Sequence, residues 1–192
     1  EDLQASRKRH SQVLELLARC YRELGDWDAL LKLLPVLQKT KVLNADEAED
    51  LRQKAAVAGL QQCQDKESLQ AAWKSIPKAM QRTPEAVMAF SEHAMALGAN
   101  ELTEDVIRAS MKRQWTPALL VPYGESGSDD TAKRLKQCEK WLVEHESDHL
   151  LQLTQGRLCA RSELWGKARE HMIRSLEIEP TVVGYDSLGQ LL

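Results

Sequence analysis

Small and apolar residues keep fixed places among Arg, Glu and Lys in LTQGRLCARSELWGKAREHMIRSLEIEP, residues 153–180. Gly156, Cys159, Trp165, Ala168, Met172, Ser175 and Pro180 fall at offsets of 0, 3, 9, 12, 16, 19 and 24 residues. That spacing predicts a helix, a turn and a second helix closed by proline. The same phase recurs upstream. Ala18, Tyr21, Gly25, Trp27, Leu30 and Leu34 make an earlier copy whose turn is Gly25-Asp26-Trp27. A further copy starts at Thr83-Pro84 and runs through Phe90, Ala94, Gly98, Ile107 and Ser110. Weaker copies cover residues 58–77 and 119–141, the second carrying the loop GESGSDD where the turn belongs. Residues 185–192 restart the pattern, with Leu188-Gly189 in the place of Gln155-Gly156.

Helix boundaries are signalled independently of this phase. Asn44 followed by Glu47 predicts a capping box, and Asp46, Glu47, Glu49 and Asp50 load negative charge onto the positive end of that helix. Thr83-Pro84 and Thr116-Pro117 place proline at a first helical position. Pro77 is expected to split or kink the apolar run 69–80, because its ring cannot continue a helix.

The offsets match the helix–turn–helix of a tetratricopeptide (TPR) repeat of about 34 residues. One such repeat cannot bury its own apolar face, so neighbours are expected to stack on it. The predicted fold is therefore all-α, a TPR-like α-solenoid of antiparallel helix pairs wound as a right-handed superhelix. The expected repeats are residues 11–44, 51–82, 84–116, 117–148 and 149–181, with 182–192 starting a truncated further one, read as one continuous unit over 1–192.

Composition agrees: one phenylalanine and many Leu, Ala, Gln and Glu describe a helical chain. The net charge of −3 gives no case for nucleic acid or a membrane surface. The short basic cluster Arg7-Lys8-Arg9-His10 reads as a solvated helix face. No run of about 18 apolar residues and no signal peptide is visible.

Four cysteines, Cys20, Cys63, Cys138 and Cys159, have no paired spacing. Cys20, Cys63 and Cys159 share one helical phase and are expected to be buried small hydrophobes. Trp27 and Trp165 occupy equivalent turn positions and are expected to pack. His145-Glu146-Ser147-Asp148-His149 matches H-E-x-x-H, which binds zinc only if all five residues are helical. Here they fall where the repeat turns, and Ser147-Asp148 reads as an N-cap. His145 and His149 are thus weak metal candidates, with Glu163, Glu170 and His171 the nearest third ligands. Gly124-Glu125-Ser126-Gly127-Ser128 lacks the second glycine of a nucleophile elbow. No catalytic constellation emerges, no cofactor is called for, and the chain is not expected to be an enzyme.

A TPR groove is lined by the first helix of each repeat. In this phase that face offers Glu15, Arg19 and Arg22, then Glu85, Met88, Glu92 and Met95, then Leu153, Arg157 and Ala160. Charge mixed with soft apolar groups suits a peptide or helix from a protein partner. Asn44 and Asn100 lie outside it, which disfavours the C-terminal chaperone peptides that other TPRs clamp with Lys and Asn.

Five segments in order carry a closer resemblance: GDWDALLKLLPVLQKTKVL at 25–43, AAWKSIPKAM at 71–80, MKRQW at 111–115, YGESGSDDTAKRLKQCEKWLVEH at 123–145 and LWGKAREHMIRSLEIEP at 164–180. Together they resemble the C-terminal TPR region of bacterial HemY proteins, associated with a late step of protohaem synthesis. The resemblance implies a scaffold for late haem-pathway enzymes, held at the bacterial inner membrane by an N-terminal membrane region absent from this chain, with the repeats on the cytoplasmic side. It supplies no catalytic residue. A carrier of haem or porphyrin, and a general TPR adaptor for envelope assembly, are the alternatives. An unrelated flavin-dependent oxidase shares the HemY name, but the chain lacks the glycine fingerprint such an enzyme needs.

Overall fold

Five acidic or amide side chains start five helices. Asp26, Asn44, Asp65, Asp130 and Asp148 each accept a hydrogen bond from the amide three residues on, satisfying a donor the helix itself leaves open. Asn44 and Glu47 complete the predicted capping box, with both reciprocal bonds at 2.8 Å. The computed structural model describes residues 2–125 and 130–191, with side-chain surroundings from His10 onward. The stretch Ser126 to Asp129 of the expected loop lies outside the described residues, as do the side chains of Arg7, Lys8 and Arg9.

Eleven α-helices and two 3₁₀ turns, Met80–Arg82 and Pro117–Leu119, make up the secondary structure of the described residues, and none of them forms a strand. Helices α1 (Asp2–Leu24), α2 (Trp27–Lys39), α3 (Ala45–Gln61) and α4 (Lys66–Ser75) are followed by α5 (Pro84–Ala96) and α6 (Glu101–Met111). Then come α7 (Leu120–Glu125), α8 (Thr131–His145), α9 (His149–Arg161), α10 (Trp165–Ile178) and α11 (Val182–Leu191). The chain divides into two compact units, one ending at Phe90 and one starting at Ser91, so the boundary lies within α5. Each unit stacks antiparallel helix pairs in the TPR-like arrangement that the repeat spacing predicts.

In the first unit, Leu14 and Ala18 of α1 meet Leu30, Leu34 and Leu37 of α2 and Ala48 and Leu51 of α3, with Tyr21 and Trp27 packed against them. The i, i+4, i+7 spacing of the α2 leucines places all three on one stripe. Gly25 at φ +69° makes the left-handed turn that lets α2 fold back on α1. Pro77 ends the apolar run as predicted: α4 stops at Ser75, and Ile76 is extended with ψ 135°. Gln81 then bridges the break, its amide donating to the carbonyls of Trp73 and Ile76 at 2.8 and 2.9 Å.

In the second unit α9 is the central helix. Every residue from Leu151 to Gly156 is buried, so α9 has no simple polar face. Its partner α10 packs tightly at Gly156: a Cβ there would stand 2.8 Å from Met172 Cγ and 3.1 Å from the Ala168 carbonyl oxygen. These three residues belong to the spacing that marked the repeat. On another side, Thr154 Oγ1 donates to the Leu120 carbonyl at 3.2 Å, joining α9 to α7.

The burial of Cys20, Cys63, Trp165 and Leu153 differs from expectation. Cys20 is exposed, because it lies on the face of α1 turned away from α2, whereas Cys63 is half-buried and Cys138 and Cys159 are buried. Trp165 is 58% exposed and is not a packing residue: it sits one turn before Ala168, which is fully buried. Leu153, placed on the groove by its phase, is 3% exposed and belongs to the core around α9.

Candidate functional site

The residues expected to line a groove are spread over both units. Glu15, Arg19 and Arg22 are exposed on α1, where Arg19 pairs with Glu23 at 3.1 Å. On α5, Glu85 is exposed and accepts from Gln53 at 3.1 Å, and Met88 is half-buried. Glu92 is exposed and Met95 half-buried beyond the boundary at Ser91. Leu153 is withdrawn into the core, while Arg157 and Ala160 stay half-buried at a surface.

That surface is a cleft of about 410 Å³ between the end of α7, the second half of α9, the start of α10, and α11. Arg157 and Arg161 stand one helical turn apart on α9 and both reach the end of α7. Arg157 Nε donates to Ser187 Oγ at 3.1 Å, and its Nη1 lies 3.5 Å from Glu125 Oε1. Arg161 donates to the Gly124 carbonyl at the carboxyl end of α7. Asp186 and Gln190 of α11 form the opposite wall, the amide donating to the carboxylate at 2.9 Å. The Trp165 indole lines the same cleft and stays open to solvent. The cleft thus presents two guanidiniums, two carboxylates and one bare indole, the residue types that anchor protein partners. Sequence reasoning missed Arg161, Trp165, Asp186 and Gln190. Arg161 was recoverable as the i+4 partner of Arg157; the α11 wall needed the register of a helix the pattern only half defines.

A buried polar layer supports the cleft from behind. Arg134 of α8 is 1% exposed, and its Nη1 donates to the Tyr123 carbonyl at 3.2 Å. Two arginines, Arg134 and Arg161, therefore cap adjacent carbonyls where the α7 dipole is negative. Burial, with the neighbouring Arg161 charge second, lowers the pKa of the Arg134 guanidinium. Burial raises that of the Tyr123 phenol far above its ordinary value.

The H-E-x-x-H residues do not share a helix. His145 ends α8, and its ring stacks on Trp115 with centroids 3.7 Å apart. His149 starts α9 and pairs with Glu179, Nδ1 to Oε2 3.1 Å. Asp148 between them caps α9 with one oxygen and accepts from Trp115 Nε1 at 2.9 Å with the other. His171, one of the third-ligand candidates, is bonded through Nδ1 to Gln152 Oε1 at 2.8 Å. Among the described residues, no three His, Cys, Asp or Glu side chains are gathered to hold a metal. Burial holds His171 below the usual histidine pKa. The unfolded ring therefore takes a proton first as pH falls through its ordinary value near 6.5, and acid there works against folding.

Burial also pushes the Cys138 thiol up to about 12 and raises that of Cys159. Because the thiolate is the reactive form, iodoacetamide at pH 8 is expected to alkylate Cys20 first and Cys63 more slowly. Cys138 and Cys159 should react only in denaturant, and peptide mass mapping over a time course checks this. Alkylation of Cys138 as fast as Cys20 would contradict the buried placement.

The chain is similar to Protein HemY of Escherichia coli strain K12, with 23% identity over 188 residues that cover 96% of this chain and 47% of that protein. Protein HemY of Escherichia coli O157:H7 and Protein HemY of Shigella flexneri match it to the same extent. The resemblance carried by the five sequence segments is thus supported across nearly the whole chain, which spans about half the length of the curated relatives it matches. No family model and no solved structure matches the chain. Among the described residues no helix is long and apolar enough to cross a membrane.

Proposed function

We propose that this chain is the protein-binding region of a HemY-like scaffold that gathers enzymes of the late steps of haem synthesis at the bacterial inner membrane, its repeats on the cytoplasmic side. The chain contributes surface and not catalysis. The observation that carries the reading is the cleft around Trp165, where an exposed indole lines the same space as Arg157, Arg161 and Asp186. Similarity to Protein HemY along nearly the whole chain supports placing the partner in haem synthesis.

The test is a crosslinked pull-down from bacterial membranes with the purified chain and its Trp165→Ala variant. The expected result is recovery of a late haem-pathway enzyme, reduced at least tenfold by the substitution, since an interface anchor contributes about 2 kcal/mol or more. Trp165 is open to solvent, so the variant should fold normally. Recovery of partners from an unrelated pathway would favour a general adaptor. A saturable Soret shift on titration with haem would favour a porphyrin carrier.

A further inference from the structure

A second cleft, of about 340 Å³, lies in the first unit between α2, α3 and the segment from α4 to Met80. Leu31, Ala56, Gly59, Ala72, Ile76 and Pro77 line it. Gly59 lies in the last turn of α3, and a Cβ added to it would meet nothing within 4 Å. No neighbour among the described residues explains the glycine there, although it weakens the helix relative to alanine. The space in front of it is left open. Leu31, 39% exposed, borders it, so apolar surface is presented where the described residues supply no cover.

Two charged residues, Arg52 and Asp28, are among its lining. Arg52 is engaged twice, with Glu49 at 3.2 Å and with the Gln38 amide oxygen at 3.0 Å. Asp28 is exposed in the first turn of α2, and its carboxylate meets no cation among the described residues. Ser75 is spent locally, its hydroxyl donating to the Ala72 carbonyl at 2.7 Å. The uncommitted charge is thus negative. It repels the carboxylate of a fatty acid or a porphyrin and attracts a cation.

We infer that this cleft receives a segment of a protein partner that inserts one bulky apolar side chain and sets a Lys or Arg against Asp28. The volume is at the low end of ligand pockets, about 300–1,000 Å³, which suits a single anchoring side chain. The inference stands apart from the Trp165 cleft: every residue it uses precedes Phe90, so its failure leaves the proposed function untouched.

The test is methyl-labelled NMR of the whole chain with two synthetic helical peptides. One carries a Phe with a Lys four residues on, and the other has Glu in place of the Lys. The Lys peptide should shift the Leu31, Ala56 and Ile76 methyl signals saturably and bind at least tenfold tighter than the Glu peptide. Asp28→Asn should remove that difference. Gly59→Leu should weaken binding at least tenfold without lowering the unfolding midpoint, because its side chain enters open space. Equal binding of the two peptides, no saturable shift of those methyls, or unimpaired binding by Gly59→Leu would overturn the inference. Shifts produced by decanoate but by neither peptide would also overturn it, assigning the cleft to lipid.

Discussion

Gly156→Leu is expected to cost about 3 kcal/mol of stability, at the upper end of overpacking penalties. The first added atom is already in conflict. A Cβ would lie 2.8 Å from Met172 Cγ, 3.1 Å from the Ala168 carbonyl oxygen and 3.2 Å from the Met172 amide nitrogen. Two of these atoms are backbone of α10 and cannot turn aside, so the helices must separate. Separation uncovers Leu151 and Leu158, both 0% exposed. Even Gly156→Ala should destabilise, although alanine is the better helix former by about 1 kcal/mol. Gly59→Ala, with open space in front of it, should stabilise by roughly 0.5–1 kcal/mol. Urea unfolding of the pair checks both signs at once. A stabilising Gly156→Ala would show that α9 and α10 are not packed as described.

Arg134→Ala is the second large effect, with an expected loss of about 3 kcal/mol. The substitution empties a site that is 1% exposed and removes the donor at 3.2 Å from the Tyr123 carbonyl. Cavity formation and an unsatisfied buried acceptor both contribute. Arg134→Met keeps most of the volume and removes the cost of burying the charge, so it should lose only about 1–2 kcal/mol. Because Arg161 caps the neighbouring Gly124 carbonyl, Arg161→Ala should add less than its full effect to Arg134→Ala. Denaturant unfolding of the single and double variants measures this. A loss below about 1 kcal/mol for Arg134→Ala would contradict its role in closing α7.

The parts of the fold legible from sequence are those governed by local chemistry. The Asn44–Glu47 box, the proline start of α5 and the break at Pro77 depend on neighbours within a few residues. The spacing of Gly156, Ala168 and Met172 was legible because close helix approach restricts residue size at fixed intervals. Where two arrangements satisfy the same pattern, sequence does not decide. Helix α1 carries two apolar stripes, 14-18-21 and 13-17-20-24, and periodicity does not say which faces α2. Cys20 therefore fell on the wrong side of the expectation. Leu153 was misplaced because α9 is covered on several sides, so a phase that points toward a groove points into the core. Lys133 and Arg134 are chemically alike in sequence. The end of α7 decides which of them is buried.

Among the predicted groove residues, Arg157 and Ala160 line the α9 cleft, and Arg157 is the one whose partners and distances help define the site. The pattern located the helix but not the wall opposite, which α11 supplies through Asp186, Ser187 and Gln190.

The central claim is that the cleft between α9 and α11 holds a protein of the haem pathway. Its most direct test is a photo-crosslinking residue placed at Gln190, at the rim of that cleft, in the full-length protein in bacterial membranes. A second residue at exposed Lys140 on α8 serves as control. The account predicts that light yields an adduct with a late haem-pathway enzyme from position 190, that position 140 yields none, and that Trp165→Ala abolishes it. The same adducts from both positions, or adducts unaffected by Trp165→Ala, would contradict it.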